Sequence, residues 1–272
     1  PFGVIKIIND MAIIEEGCTV CGACLDACPY DAIVSRVEPT KSKLVDINEY
    51  SGVCVVAELE QGKPATVGFE LLSVGRTLAN AREVDLTTVI LGHNIKDLAE
   101  SYVYRGSDRV IVADSKYLKD FNEENYSIVL EKLVKKYQPE IVLCGATIWG
   151  RSVIPRLAIK INTGLTADCT QLDIDPETGL LMQTRPAFGG NIMATILCPN
   201  TRPQMATVRP RVMKPLPEEN ERKGDVIVED LSDIKWSRKR TTILESIEEL
   251  GEMINIAEAD VIVSGGRGLD GA

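Results

Sequence analysis

From Gly52 onward the apolar positions fall into two alternating rhythms. Residues 52–59, 87–91, 110–112 and 141–144 are short, β-branched and nearly uninterrupted, the pattern of strands buried on both faces. Between them, 67–82, 95–104 and 122–137 carry apolar residues at helical spacing. Strand and helix alternate, which predicts an α/β fold: a mainly parallel, Rossmann-like sheet with helices on both faces. Gly145-Ala-Thr-Ile-Trp-Gly150-Arg151 leads from the fourth strand to a helix expected around 155–160. It has neither the dinucleotide glycine pattern nor the Walker lysine, so it reads as a plain helix start.

Residues 163–213 change the rhythm to four short β-rich runs divided by punctuators. Asp175-Pro-Glu-Thr-Gly179 suits a hairpin turn, Gly189-Gly190 permits positive φ, and Cys198-Pro-Asn200 opens another turn. After Met213, residues 214–224 are polar and proline-containing, a linker or surface crossing. Further strands are expected at 226–228, 241–244 and 261–263, the last running into Ser264-Gly-Gly-Arg-Gly268. A strand ending in a glycine-rich turn is on its own weak evidence for a cofactor.

The N-terminal segment brings specific chemistry. Cys18, Cys21, Cys24 and Cys28 are spaced by two, two and three residues and end in Cys28-Pro29, the ligand spacing of bacterial ferredoxins around a 4Fe-4S cluster. A zinc site more often uses two separated Cys-x-x-Cys knuckles. Pro29-Tyr-Asp-Ala-Ile33 repeats the opening Pro1-Phe-Gly-Val-Ile5, so residue 1 stands where an earlier Cys-Pro would place its proline, and a fragment at the front is expected. In the two-cluster ferredoxins that this segment resembles, each fourth cysteine serves the other motif's cluster. On that pattern Cys28 would complete a cluster whose remaining ligands lie upstream.

Composition narrows the partners. A net charge of −10 over 272 residues disfavours nucleic acid, which is bound largely through Lys and Arg. No apolar run approaches the roughly 20 residues needed to cross a bilayer, so no membrane partner is expected and a soluble, cytoplasmic protein is. The single histidine, His93, reads as a loop residue, which leaves a Ser/His/Asp triad improbable. Cys54 and Cys144 fall inside strands as small hydrophobes, and Cys169 and Cys198 also read as structural.

The wording of the central stretch is more specific than its pattern. Thr163-Gly-Leu-Thr-Ala-Asp-Cys169, Arg185-Pro-Ala-Phe-Gly-Gly-Asn-Ile-Met-Ala194 and Arg202-Pro-Gln-Met-Ala-Thr-Val-Arg-Pro210, in this order, closely resemble the alpha subunit of electron-transferring flavoproteins. The resemblance spans roughly residue 50 to the C-terminus. It implies an electron-carrier subunit that pairs with a beta subunit, holds FAD and serves a dehydrogenase of the acyl-CoA or hydroxy-acid type. It also implies that Ser264, Gly265, Gly266, Arg267 and Gly268 open the FAD site, with Arg267 at the flavin ring. The later glycine-rich FAD segments of the family are absent from this sequence, so the FAD domain is expected to be truncated. The ferredoxin-like front adds ferredoxin as a partner and suggests the bifurcating or confurcating kind. Three parts are expected: an iron–sulfur domain over 1–46, an α/β domain over 47–213, and a linker with the first FAD-domain strand over 214–272. The rival reading is an adenine-nucleotide-binding α/β module with a structural metal knuckle and no redox role.

Overall fold

The computed structural model describes residues 4–8, 11–14, 24, 27–30, 32–34, 47–60, 62–236, 259 and 261–269. Pro1–Trp236 forms one compact unit and Ser237–Ala272 a second. In the first, β1 (Ile5–Ile8) and β2 (Met11–Ile14) make an antiparallel ribbon. The α/β part then runs β3 (Val53–Ala57), the small ribbon β4 (Leu59–Glu60) and β5 (Lys63–Pro64), α1 (Thr66–Arg82), β6 (Leu86–Gly92), α2 (Ala99–Val103) and β7 (Arg109–Asp114). It continues with α3 (Glu123–Tyr137), β8 (Ile141–Gly145), α4 (Ile148–Lys160), β9 (Leu165–Cys169), β10 (Gln171–Ile174), β11 (Leu181–Ala187), β12 (Ile192–Ile196), β13 (Gln204–Val208) and β14 (Asp225–Val228).

Seven strands form one sheet in the order β14-β7-β6-β3-β8-β13-β9, every neighbouring pair parallel. The near-continuous apolar runs have the expected cause, because each strand feeds two cores. Val53, Val55 and Ala57 of β3 pack on the side of α1 and α2 with Leu71, Leu78 and Tyr102, whereas Cys54 and Val56 face α3 and α4 with Leu130, Leu133, Val153 and Leu157.

Helix ends follow local chemistry. Asn122 caps α3 by accepting from the N–H groups of Glu124 and Asn125, and Thr147 caps α4 by accepting from Gly150. The helix expected at 155–160 thus begins seven residues earlier, with Pro155 inside it. A proline usually marks a first turn. Here the cap and the burial of Gly150, Val153 and Ile154 extend the helix in front of it.

The stretch 163–213 holds five strands rather than four, because Asp168 takes a left-handed φ of 62° at an irregularity in the β9–β13 register and the chain turns into β10. Asp175–Gly179 closes the β10–β11 hairpin, with Gly179 at φ 69°. Strands β10, β11 and β12 make a separate antiparallel sheet.

Residues 214–224 are a surface crossing. Glu219 donates its N–H to the Tyr104 carbonyl and Arg222 holds Asp108 at 2.7 Å, which delivers the chain to β14 beside β7. The expected boundary at Met213 therefore falls inside the first unit. The expected strand at 241–244 lies outside the described residues. Residues 261–266 are irregular and Val261–Val263 exposed, so the strand expected there is not formed in the described chain. Three apolar residues make a strand only beside a pairing edge.

Candidate functional site

A parallel sheet binds its ligands where strand order reverses, in the crevice beyond the carboxyl ends of the strands. Here the chain goes from β3 outward to β6 and β7, then returns to β8 on the other side, so the switch point lies between β3 and β8. The protein's own atoms fill it. Glu58, the residue after β3, is buried, and the Thr147 hydroxyl at the head of α4 donates to its carboxylate at 2.7 Å. Burial pushes the Glu58 carboxyl up to about 7, against the hydrogen bond from Thr147, which lowers it. A Cβ on Gly145 would stand 2.7 Å from Glu58 Oε1, and one on Gly150 only 1.9 Å from the Gly145 carbonyl oxygen. These glycines let α4 close on β8 and Glu58. An acid held where a helix N-terminus would cradle phosphate opposes a nucleotide in this crevice.

Other strand-end groups lie beside neighbours in the protein, although His93 Nδ1 makes no hydrogen bond there. His93 follows β6 and sits 3.6 Å from Asp114. Asp168 draws in Arg151 at 3.0 Å and Arg209 at 4.0 Å. Cys144 lies 4.0 Å from Glu58 with its thiol raised well above the ordinary range by burial, and burial lifts Cys169 to about 11. Cys54 and Cys144 are core residues, as expected.

Of the three stretches of family wording, Arg185–Ala194 and Arg202–Pro210 differ in environment. Gln204–Val208 is wholly buried as β13 between β8 and β9, so core packing accounts for it. The β11–β12 end, by contrast, carries Ile192 and Met193, each 54% exposed, beside a turn whose Gly189 and Gly190 have φ of 70° and 92°. Successive strand residues point to opposite faces, so this end of the small sheet exposes an apolar side chain on each face.

Of the cysteines expected to hold the cluster, Cys18 and Cys21 lie outside the described residues. Cys24 and Cys28 are half-buried. The Cys28 sulfur receives hydrogen bonds from the backbone N–H groups of Tyr30 and Ala32, and these hold its thiol below the ordinary range. Backbone donors that favour thiolate suit a sulfur that ligates iron. In the second unit Ser264, Gly265 and Gly266 are exposed coil, and Arg267 and Gly268 belong to the short 3-10 turn Arg267–Leu269, closed by Leu269 N–H on the Gly266 carbonyl. Space beside Gly266 and Gly268 is open to 4 Å, and Arg267 is exposed within its unit. Gly266 and Gly268, open on either side of Arg267, suit the close approach of a phosphate or flavin edge, whereas the Leu269 side chain covers Gly265.

Sequence reasoning missed Glu58. A single acid after a strand carries no local signal, whereas Thr147 just before Ile148-Trp149 could have been read as a cap.

Comparison with known proteins agrees with this layout. A family model for the electron transfer flavoprotein domain matches residues 53–234, and one for a 4Fe-4S binding domain matches residues 11–34. The chain is 48% identical to the electron transfer flavoprotein subunit alpha of Thermoanaerobacterium thermosaccharolyticum over 225 residues, 83% of this chain and 68% of that protein. It is 38% identical to the acryloyl-CoA reductase electron transfer subunit beta of Anaerotignum propionicum, over 82% of this chain and 67% of that protein. It is 37% identical to the lactate dehydrogenase (NAD(+),ferredoxin) subunit LctC of Acetobacterium woodii, over 99% of this chain and 63% of that protein. The chain spans about two thirds of the length of these relatives.

Proposed function

The chain belongs to the electron transfer flavoprotein family, on its alpha-subunit side, with a 4Fe-4S binding motif ahead of that domain, and from this premise we propose that it carries electrons in flavin-based bifurcation or confurcation. The observation that carries the proposal is the reach of one similarity. The relative named for lactate, NAD(+) and ferredoxin matches 99% of this chain, a span that takes in the cysteine motif as well as the α/β domain.

On this reading Cys18, Cys21, Cys24 and Cys28 are cluster ligands, and the backbone donors around Cys28 tune its sulfur. FAD, when bound, supplies the exchange between one- and two-electron carriers. Ser264, Gly265, Gly266 and Gly268 let the cofactor approach the backbone, and Arg267 sets a positive charge beside it that favours anionic reduced forms. The parts are an iron–sulfur segment over 1–46, an α/β scaffold from 47 to 236, and the opening of the FAD segment after it. The exposed β11–β12 end receives a beta subunit, and a dehydrogenase and ferredoxin complete the electron path. The closed crevice beside Glu58 supports a scaffold role for the sheet.

The test is anaerobic purification of the protein with its companion subunit. Iron and acid-labile sulfide are expected, with a paramagnetic signal on reduction that Cys21→Ser diminishes; stoichiometric zinc without sulfide overturns the cluster. With dehydrogenase added, NADH oxidation should require ferredoxin and the dehydrogenase acceptor together. Equal rates with either acceptor alone would overturn bifurcation while leaving electron transfer intact.

A further inference from the structure

The closed crevice holds a group that the proposed electron path does not use. Glu58 is 4% exposed, and among the described residues its carboxylate takes hydrogen bonds from the Thr147 hydroxyl, at 2.8 and 2.7 Å from its two oxygens, and weakly from the Cys144 thiol at 4.0 Å. One hydroxyl proton serves both oxygens. An ionised carboxylate has room for about four donors, so the charged form is short of partners here, whereas the protonated acid is a neutral group whose needs one hydroxyl meets. Glu60, two residues on, acts on it as a like charge. A helix start favours an anion, and α4 begins beside Glu58; among the described residues, though, no backbone N–H donates to this carboxylate.

Thr147 links the acid to the helix. The oxygen that donates to Glu58 also accepts from the Gly150 N–H at 3.0 Å, and the Thr147 carbonyl accepts from the Arg151 N–H at 2.9 Å, so the first turn of α4 hangs from the residue that serves the acid. The other walls are firmer. Gly145 belongs to β8, an interior strand of the sheet, and Val67 of α1, which flanks it, is buried. The turn itself is outermost: Ile148 is 92% exposed and the Arg151 side chain 57%, with Asp168 holding that arginine at 3.0 Å. A buried charge that lacks donors is relieved by whichever wall yields to water at least cost. Here that wall is the first turn of α4.

We propose that ionisation of Glu58 opens the first turn of α4 to water, so that gain and loss of one proton switch the carboxyl edge of the sheet between a closed and an open form. Burial lifts the Glu58 carboxyl to about 7, above its ordinary 4.5, so the closed form holds the proton and is favoured at acid pH, and the open form gains as pH rises through neutrality. Opening frees Arg151 from Asp168 and shifts Ile148, which changes the surface beside the end of β9. The device uses neither flavin nor cluster, so it stands or falls independently of the redox assignment.

Amide exchange of the full chain, followed from about pH 5 to about pH 8 and corrected for the intrinsic rate, tests it. Protection of the Gly150 and Arg151 amides, which Thr147 accepts, should fall about fiftyfold over this range, the change expected when a carboxyl at about 7 in the closed form returns to about 4.5 in the open one. The matching amides of α3, Asn125 and Tyr126 on Asn122, should not follow. Glu58→Gln should flatten the α4 profile at the protection of the closed form. Circular dichroism checks that the variant folds; should it fail to, the contrast between α4 and α3 in the parent chain still decides. Constant protection of Gly150 and Arg151 across the range, an equal fall in α3, or an undiminished fall in Glu58→Gln each overturns the proposal.

Discussion

At the carboxyl edge of the parallel sheet, Glu58, Thr147 and the glycine contact between β8 and α4 occupy the crevice where this fold most often takes a ligand. At the amino edge, a cleft opens to solvent beside Glu83, Asp85 and Arg109, while the strand faces behind it stay packed on α3. The two ends are held by different means. One is closed by backbone packed on backbone with a buried acid above it. The other is braced by charge at its margins: Asp108 accepts from Arg76, Arg222 and the Leu86 N–H, and Glu140 is held by Arg82 and Arg202. The difference teaches that possession of a nucleotide-type sheet does not assign a nucleotide; side chains at the switch point decide.

The closed edge is the more sensitive one. Gly150→Ala puts a methyl group where a Cβ meets the Gly145 carbonyl at 1.9 Å, and because the obstacle is backbone, α4 must move. A loss of about 3 kcal/mol is expected in urea unfolding. A loss under about 1 kcal/mol would mean that the helix is not seated as described.

Next comes the buried acid. Glu58 has a folded-state value of about 7, above its ordinary 4.5, so the folded chain holds that proton more tightly than the unfolded chain does. Its effect on stability is therefore favourable and fully present below about pH 4.5, and is lost as pH rises through about 7. Glu58→Gln removes this dependence. Relative to the variant, the parent chain should lose on the order of 3 kcal/mol between these limits, read from unfolding free energies at several pH values. Parallel curves for the two proteins would place Glu58 in water.

What could be read in advance follows from how local each cause is. Strands β3, β6, β7 and β8 were legible because burial on both faces forces continuous apolar runs, and α1 and α3 because each buries one stripe. The start of α4 was obscured by Pro155, a local signal that the Thr147 cap and the packing of Val153 and Ile154 override. Glu58 was illegible because its burial depends on Thr147, 89 residues away in sequence. Likewise the crossing at 214–224 has a linker's composition, and only its contacts with Tyr104 and Asp108 tie it to the sheet. The cysteine spacing and the flavoprotein wording were plain because cluster geometry and turn chemistry constrain residue type directly.

At the open edge, Asp108→Ala should cost about 2 kcal/mol, less than the Gly150 substitution, because it strands Arg76 and Arg222 and leaves the Leu86 N–H without its carboxylate while emptying no core. Amide exchange would show where the loss falls. Faster exchange in β14 and the 214–224 crossing, with α4 unchanged, is expected if charge braces this edge alone.

The smallest effect is the most discriminating for the two edges. Asp85 is 65% exposed and meets Arg109 at 3.6 Å, so the pair contributes only a few tenths of a kcal/mol to stability. Asp85→Asn should therefore leave the unfolding midpoint nearly unchanged. A loss above about 1 kcal/mol would mean that the pair is better shielded than its exposure indicates. The same change at the closed edge has the opposite character: Glu58→Gln alters stability and its pH dependence and creates no site, since Thr147 and α4 still fill the crevice.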